Sequence, residues 1–207
     1  MKSLGTFLNA VLAGIAIAIG GVVFLSCESK LAGASLFAVG LLAVCTLGLN
    51  LYTGKICYAL DNKPSYLLEC LVVWLGNLVG TAGTGLLIRC TRLTYVVEKG
   101  MALCDVKLGD NLLSIFILAV FCNMLIYLAV ENYKKNPHEV GKYMAIYFGV
   151  VVFIIAGFEH CVANMFYFAV GGAWTLKALL YLVVMTIGNA VGGLVFPVLR
   201  KIANKTY

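Results

Sequence analysis

The sequence predicts an all-α membrane protein: six transmembrane helices in two inverted halves, with the second and fifth helices broken. Three observations predict it. Hydrophobic residues make up 62% of the 207 and charged residues 12%, whereas soluble domains average about 45–50% apolar and about 25% charged. The charges are also segregated. Ser3 to Cys27, Leu31 to Gly54, Asn111 to Val130 and Ala178 to Leu199 contain none, and a helix needs ~20 apolar residues to cross the ~30 Å hydrocarbon core. Finally, Gly76-Asn77-Leu78-Val79-Gly80 is echoed 112 positions later by Gly188-Asn189-Ala190-Val191-Gly192.

This composition leaves no room for a soluble nucleotide-binding or catalytic fold, and it excludes disorder. Residues 1–207 form a single transmembrane domain with halves at about 1–100 and 101–207. The net charge of +6 is a loop property, so no nucleic-acid partner is expected. Eight cysteines are scattered with no Cys-x-x-Cys pair. They read as small buried or lipid-facing residues, and neither a metal nor a cofactor is expected.

The first span, 4–26, is far longer than the ~7–15 apolar residues of a signal peptide. The second, 32–60, is interrupted by Gly48-Leu49-Asn50-Leu51-Tyr52-Thr53-Gly54-Lys55, where glycines bracket a polar patch. The third, 66–88, holds the first Gly-Asn-x-x-Gly. The connection that follows carries Arg89, Arg92, Lys99 and Lys107 and reads as a loop. The fourth, 111–130, contains Asn123. The fifth, 143–170, is interrupted by Gly157-Phe158-Glu159-His160-Cys161-Val162-Ala163-Asn164, and the sixth, 174–199, holds the second Gly-Asn-x-x-Gly. Irregular backbone at membrane depth is tolerated only where it is buried in protein or lines a cavity. Paired interruptions in two halves mark a binding site near the midplane. A shift of 112 carries Leu41 to Phe153 and Thr53 to Met165, which aligns the two breaks. Three spans per half then make the halves opposite in topology.

Six crossings put both termini on one side of the lipid bilayer. That side carries nine cations (Lys2, Lys55, Lys63, Lys134, Lys135, Lys142, Arg200, Lys201 and Lys205) against six on the other. The excess places the termini in the cytoplasm of a cell that holds the protein in its plasma membrane. Tyr66, Tyr133, Tyr143, Trp174 and Tyr207 are placed to anchor the interfaces.

His160 is the most informative residue, since an ionisable group within a span is costly and functional by default. It changes charge near physiological pH. Glu159 reads as a cap for backbone donors freed by the break. Asn164 lies one turn on from His160. The Thr53 hydroxyl, in the other break, both donates and accepts. Asn123 needs a partner across a helix interface or in a pore. Lys107 on its own reads as a solvated loop lysine, Asn77 and Asn189 as residues of close helix packing. Phe37, Leu41 and Phe153 read as ordinary packing residues.

The stretch Gly157-Phe158-Glu159-His160-Cys161-Val162-Ala163-Asn164-Met165 resembles the Gly-Phe-Glu-His-Ser-x-Ala-Asn-Met signature of the formate/nitrite transporter family. Leu51-Tyr52-Thr53-Gly54 resembles that family's loop in its broken second helix. Trp74-Leu75-Gly76-Asn77-Leu78-Val79-Gly80, Phe121-Cys122-Asn123-Met124-Leu125 and Gly188-Asn189-x-x-Gly-Gly resemble its third, fourth and sixth helices. The resemblance implies an aquaporin-like protomer, a homopentamer, and one pore per protomer for formate, nitrite or hydrosulfide. It places the family's central histidine at His160, its loop threonine at Thr53 and its vestibule lysine at Lys107. Asn123 and Asn164 fall on the same pathway. The apolar constrictions fall on Phe37, Leu41 and Phe153, with Leu51 and Tyr52 from the loop. Tyr52 stands where phenylalanine is common and Cys161 where serine is common. Lys55 adds a positive charge near the inner mouth.

The implied mechanism is attraction at Lys107, proton supply at His160, and passage of the neutral acid. Desolvating a small ion costs ~20 kcal/mol in the continuum limit, and a neutral acid far less. Two other classes compete. An aquaporin-type channel for neutral solutes shares the repeat, but no Asn-Pro-Ala occurs in the sequence. An intramembrane enzyme would need spacing such as His-Glu-x-x-His or Gly-x-Ser-x-Gly, and neither is present. The chain is therefore not expected to be an enzyme.

Overall fold

A computed structural model describes residues 2–204, with the backbone alone described at Lys2. The charge at Lys205 and the anchor at Tyr207 lie outside the described residues. Among the described residues the regular structure is helical throughout. Helix α1 runs Lys2–Ser26, α2 Lys30–Thr46, α3 Tyr52–Lys55, then a 3-10 turn Ile56–Asp61. Helix α4 is Tyr66–Arg89, α5 Thr94–Gly109 and α6 Leu112–Lys135. Helix α7 is Glu139–Ile155, α8 Cys161–Val170 and α9 Leu176–Ala203. Four helices are long and apolar enough to cross a bilayer: those at Ser3–Ser26, Tyr66–Arg89, Leu112–Lys135 and Leu176–Ala203.

The interruptions are real gaps in helix. α2 stops at Thr46 and α7 at Ile155, each 17 residues long. Both end the same way. Gly48 takes φ +65° and Gly157 takes φ +74°, a left-handed conformation that glycine adopts without a Cβ penalty. The amide after each glycine reaches back five residues, from Leu49 N to Val44 O and from Phe158 N to Phe153 O, both at 2.9 Å. That is the Schellman stop.

The connection after α4, read from sequence as a loop, is instead the helix α5. Its composition hid it, because Glu98, Lys99, Asp105 and Lys107 break the apolar run that marks a span. The spacing of the two breaks is also shorter than the sequence reading has it. The helices before the loops repeat at 109 positions (Lys30–Thr46 and Glu139–Ile155), and only the asparagines after them repeat at 112 (Asn77 and Asn189). Thr53 therefore faces the register of Val162, not Met165.

α1 packs on α2 and α4, while α6 packs on α7 and α9. These contacts are close because glycines line them. A Cβ at Gly80 would lie 2.1 Å from Val11 O, and one at Gly192 would lie 2.0 Å from Val120 O. The described chain ends share one face: Asn50 Nδ2 donates to Thr6 O near the start, and Lys201 Nζ to Leu60 O near the end. This is called the terminal face below. Cys27, Lys99 and Lys107 lie toward the far face, where Lys99 Nζ donates to Cys27 O.

Candidate functional site

The two interruptions run toward each other as short extended segments. Leu51 (φ −104°, ψ 129°) leads into α3, and His160 (φ −101°, ψ 110°) leads into α8. Extended backbone at this depth leaves its polar groups without helical partners. Two buried asparagines supply them. Asn77 Oδ1 accepts from Tyr52 N at 2.8 Å, and its Nδ2 donates to Ala10 O at 2.8 Å and Asn50 O at 2.9 Å. Asn189 Oδ1 accepts from Cys161 N at 2.9 Å, and its Nδ2 donates to Ala119 O at 2.7 Å and Glu159 O at 2.8 Å. Each amide side chain thus ties one break to two neighbouring helices.

Thr53 and His160 meet where the breaks converge. Thr53 Oγ1 and His160 Nε2 are 2.9 Å apart, and both residues are buried. His160 Nδ1 accepts from Ala163 N at 3.0 Å, so the imidazole is the N-cap of α8. An acceptor nitrogen carries no proton. The neutral ring is therefore the Nε2–H tautomer, and Nε2 donates to Thr53 Oγ1. The Thr53 hydroxyl proton stays available to a third group. Asn123 Nδ2 donates to Thr53 O at 3.1 Å and to Asn189 O at 2.7 Å. The Asn123 amide thus joins the first break to α9, while its Oδ1 is buried with no protein partner.

On the far side of His160 lies a cavity of about 100 Å³, lined by His160, Phe153, Lys107, Asn164, Tyr167 and Lys30 among others. Lys107 sits in the last turn of α5 and ion-pairs with Glu159 Oε2 at 2.6 Å. Asn164 Nδ2 donates to that same Oε2 at 2.8 Å and to His160 O at 3.0 Å. Asn164 Oδ1 is buried with no protein partner. Two readings from sequence change here. Lys107 is a paired lysine on a helix, not a solvated loop residue. Glu159 binds Lys107 and Asn164 side chains, while His160 does the backbone capping expected of Glu159. A carboxylate at membrane depth demands a partner, and the fold supplies it from Lys107, 52 positions away in sequence.

On the terminal side lies a cavity of about 480 Å³, lined by Leu41, Leu51, Lys55, Tyr58 and Lys134 among others. Between the two cavities the packing is apolar. Phe37 meets Phe153 edge-on with centroids 6.2 Å apart, and Phe153 stacks on the His160 ring at 5.7 Å. Phe37, Leu41, Leu51 and Phe153 are all buried. Tyr52 is set aside from both cavities. Its ring lines a crevice between α4 and α9, and its hydroxyl donates to Thr186 O. Lys30, Tyr167, Tyr58 and Lys134 had no motif to single them out, being a cation or an aromatic at a helix end. Among the described residues no group of three His, Cys, Asp or Glu could hold a metal ion.

The sequence profile described as formate/nitrite transporter matches residues 1–202. A probable formate transporter of Methanothermobacter thermautotrophicus is 32% identical over 197 residues, covering 81% of this chain and 72% of that one. The formate channel FocB of Escherichia coli (strain K12) is 26% identical over 185 residues, covering 80% and 66%. Among solved structures, a pentameric formate channel with formate bound superposes with a TM-score of 0.85 at 26% identity, covering 100% of this chain and 98% of that one.

Proposed function

The chain belongs to the formate/nitrite transporter family, and we propose that it conducts small monovalent anions of weak acids across a plasma membrane. Formate, nitrite and hydrosulfide are the candidates, and the working form is a homopentamer with one pathway per protomer. The protomer is an aquaporin-like inverted repeat with both termini cytoplasmic. α2 with α3 makes the second crossing, α7 with α8 the fifth. Support for the repeat comes from the matched helix ranges, the matched Schellman stops and the matched asparagine anchors.

The observation that carries the reading is the Thr53–His160 hydrogen bond at the convergence of two broken helices, with a cavity on either side. An anion drawn to the far cavity meets the Lys107 ammonium and the positive end of α8. It does not carry its charge through Phe37, Leu41, Leu51 and Phe153, because desolvation opposes that. The neutral acid crosses instead. His160 takes part in the proton step under one condition. Nδ1 must gain a proton from water of the far cavity before Nε2 gives its own to the anion, and Nδ1 is then lost as the cap of α8. Protonation and uncapping are one event, and a lost cap costs about 0.5–2 kcal/mol. Asn164 Oδ1, the unpartnered acceptor beside the far cavity, accepts from the acidic O–H or S–H of the neutral acid.

The test is flux into liposomes holding the purified protein, comparing formate, nitrite, hydrosulfide, chloride and glycerol at several pH values. Weak-acid flux that rises as pH falls, with little chloride flux, is the expected result. Glycerol flux, or no flux of any weak acid, overturns the proposal.

A further inference from the structure

We propose that the terminal-face cavity is itself an anion-binding site, organised around Lys134 with Lys55 opposite, and that it sets the concentration at which transport saturates. The inference rests on the transport reading above. The cavity has a volume of about 480 Å³ and two lysines, Lys55 and Lys134, in its lining. The two lysines are held differently. Lys55 Nζ is 2.8 Å from Glu69 Oε1, so its charge is compensated. Among the described residues Lys134 has no carboxylate at ion-pair distance. Its Nζ lies instead 3.9 Å from the centroid of the Tyr58 ring.

That placement is built, not incidental. Tyr58 OH donates to Glu131 Oε2 at 2.9 Å, and Glu131 Oε1 is taken by Lys135 at 2.6 Å. The carboxylate nearest to Lys134 in sequence is thereby occupied on both oxygens. The Tyr58 ring, fixed by that hydrogen bond, presents its face to the ammonium. Asp61, the acid that lines the cavity, is paired with Lys201 at 2.6 Å. Of the charged residues lining the cavity, Lys55 and Asp61 are each paired with a residue outside the lining, and Lys134 is the cation held by a ring face instead. A ring face satisfies one side of an ammonium and leaves the others free to donate. Leu41 and Leu51 in the same lining offer an arriving anion no donor. A small monovalent anion fits this chemistry, and a divalent one does not find a second unpaired cation.

The experiment has two arms, both with the full-length protein. Crystals soaked in sodium bromide are expected to show an anomalous peak beside Lys134 Nζ in the wild type and none there in Lys134→Gln. In liposomes, Lys134→Gln is expected to raise the half-saturating nitrite concentration three- to tenfold, and Lys134→Arg to keep it within twofold of wild type. An absent peak in the wild type, a peak that survives in Lys134→Gln, or an unchanged half-saturation each overturns the site. Wild-type flux decides the transport reading separately. A conducting wild type with an indifferent Lys134→Gln sinks this inference alone, and a bromide peak in a non-conducting protein sinks the other alone.

Discussion

At the far mouth, Lys107 and Glu159 are 2.6 Å apart, with side chains 11% and 5% exposed, around a cavity of about 100 Å³. At the terminal mouth, Lys55 and Glu69 are 2.8 Å apart but 30% and 41% exposed, beside a cavity of about 480 Å³. The backbone frames behind the two mouths are near copies, with α2 and α7 ending on equivalent glycines. The difference is one of water. At the buried depth of the tight mouth an unpaired charge has little to solvate it, so Lys107 and Glu159 come as a pair and Asn164 completes the carboxylate, while Lys30, exposed at the same cavity, donates to Ile155 O instead. In the open mouth solvent does that work, and a lysine can stand without a carboxylate, as Lys134 does. Equal frames thus carry unequal electrostatics, set by how far water reaches each charge.

The sharpest way to break the comparison is to remove one partner of the buried pair. Glu159→Gln keeps a hydrogen-bonding group beside Asn164 but leaves Lys107 a lone charge in a low-dielectric site. The expected loss of stability is about 3–5 kcal/mol, read from unfolding of the purified protein in mixed micelles. A change below about 1 kcal/mol would mean water reaches the far cavity freely, and the contrast between the mouths would fall.

The frame is tested next. Gly80→Ala and Gly192→Ala place a Cβ 2.1 Å and 2.0 Å from carbonyl oxygens of α1 and α6. Overpacking of this kind costs typically about 1–3 kcal/mol. The two variants should lose similar amounts of stability by the same unfolding measurement. A large loss for one and none for the other would show that the halves are not mechanically alike, and the electrostatic difference between the mouths could no longer be assigned to the reach of water alone.

Much of this frame was legible from residues. Charge-free runs gave the long helices, and Gly48 and Gly157 marked the stops, because a glycine after an apolar run is where a helix most readily ends. Asn77 and Asn189 were readable as a pair but not as anchors. What they bind is backbone, which carries no residue-type signal. The partners of α5 were hidden for a related reason. Lys107 and Glu159 are 52 positions apart, and only folding brings α5 over the second break. Lys55, Leu41 and Leu51 marked the terminal mouth in sequence, but not Lys134, since Tyr58 on Lys134 joins two helix ends by a ring face.

His160 separates the capping role from the proton role at the boundary between the mouths. His160→Asn keeps an N-cap acceptor for Ala163 N and removes Nε2. His160→Ala removes both. Asn caps about as well as any residue, whereas Ala costs about 0.5–2 kcal/mol. His160→Asn should therefore hold stability near wild type while losing the pH dependence of weak-acid flux, and His160→Ala should lose both. An unchanged pH profile in His160→Asn would remove the imidazole from the proton step.

The smallest effect on stability is expected at the terminal mouth. Glu69→Gln breaks an ion pair that solvent already weakens, so the loss should stay within about 1 kcal/mol. Its effect on transport should be visible all the same. Without Glu69 the Lys55 charge is uncompensated, and the terminal cavity then holds two free cations instead of one. The half-saturating nitrite concentration should fall about two- to threefold, opposite in sign to Lys134→Gln, and added salt should shrink the difference because both groups are partly exposed. A variant that is much less stable than this, or one whose saturation does not move, would mean that charge at the open mouth is as tightly committed as charge at the closed one.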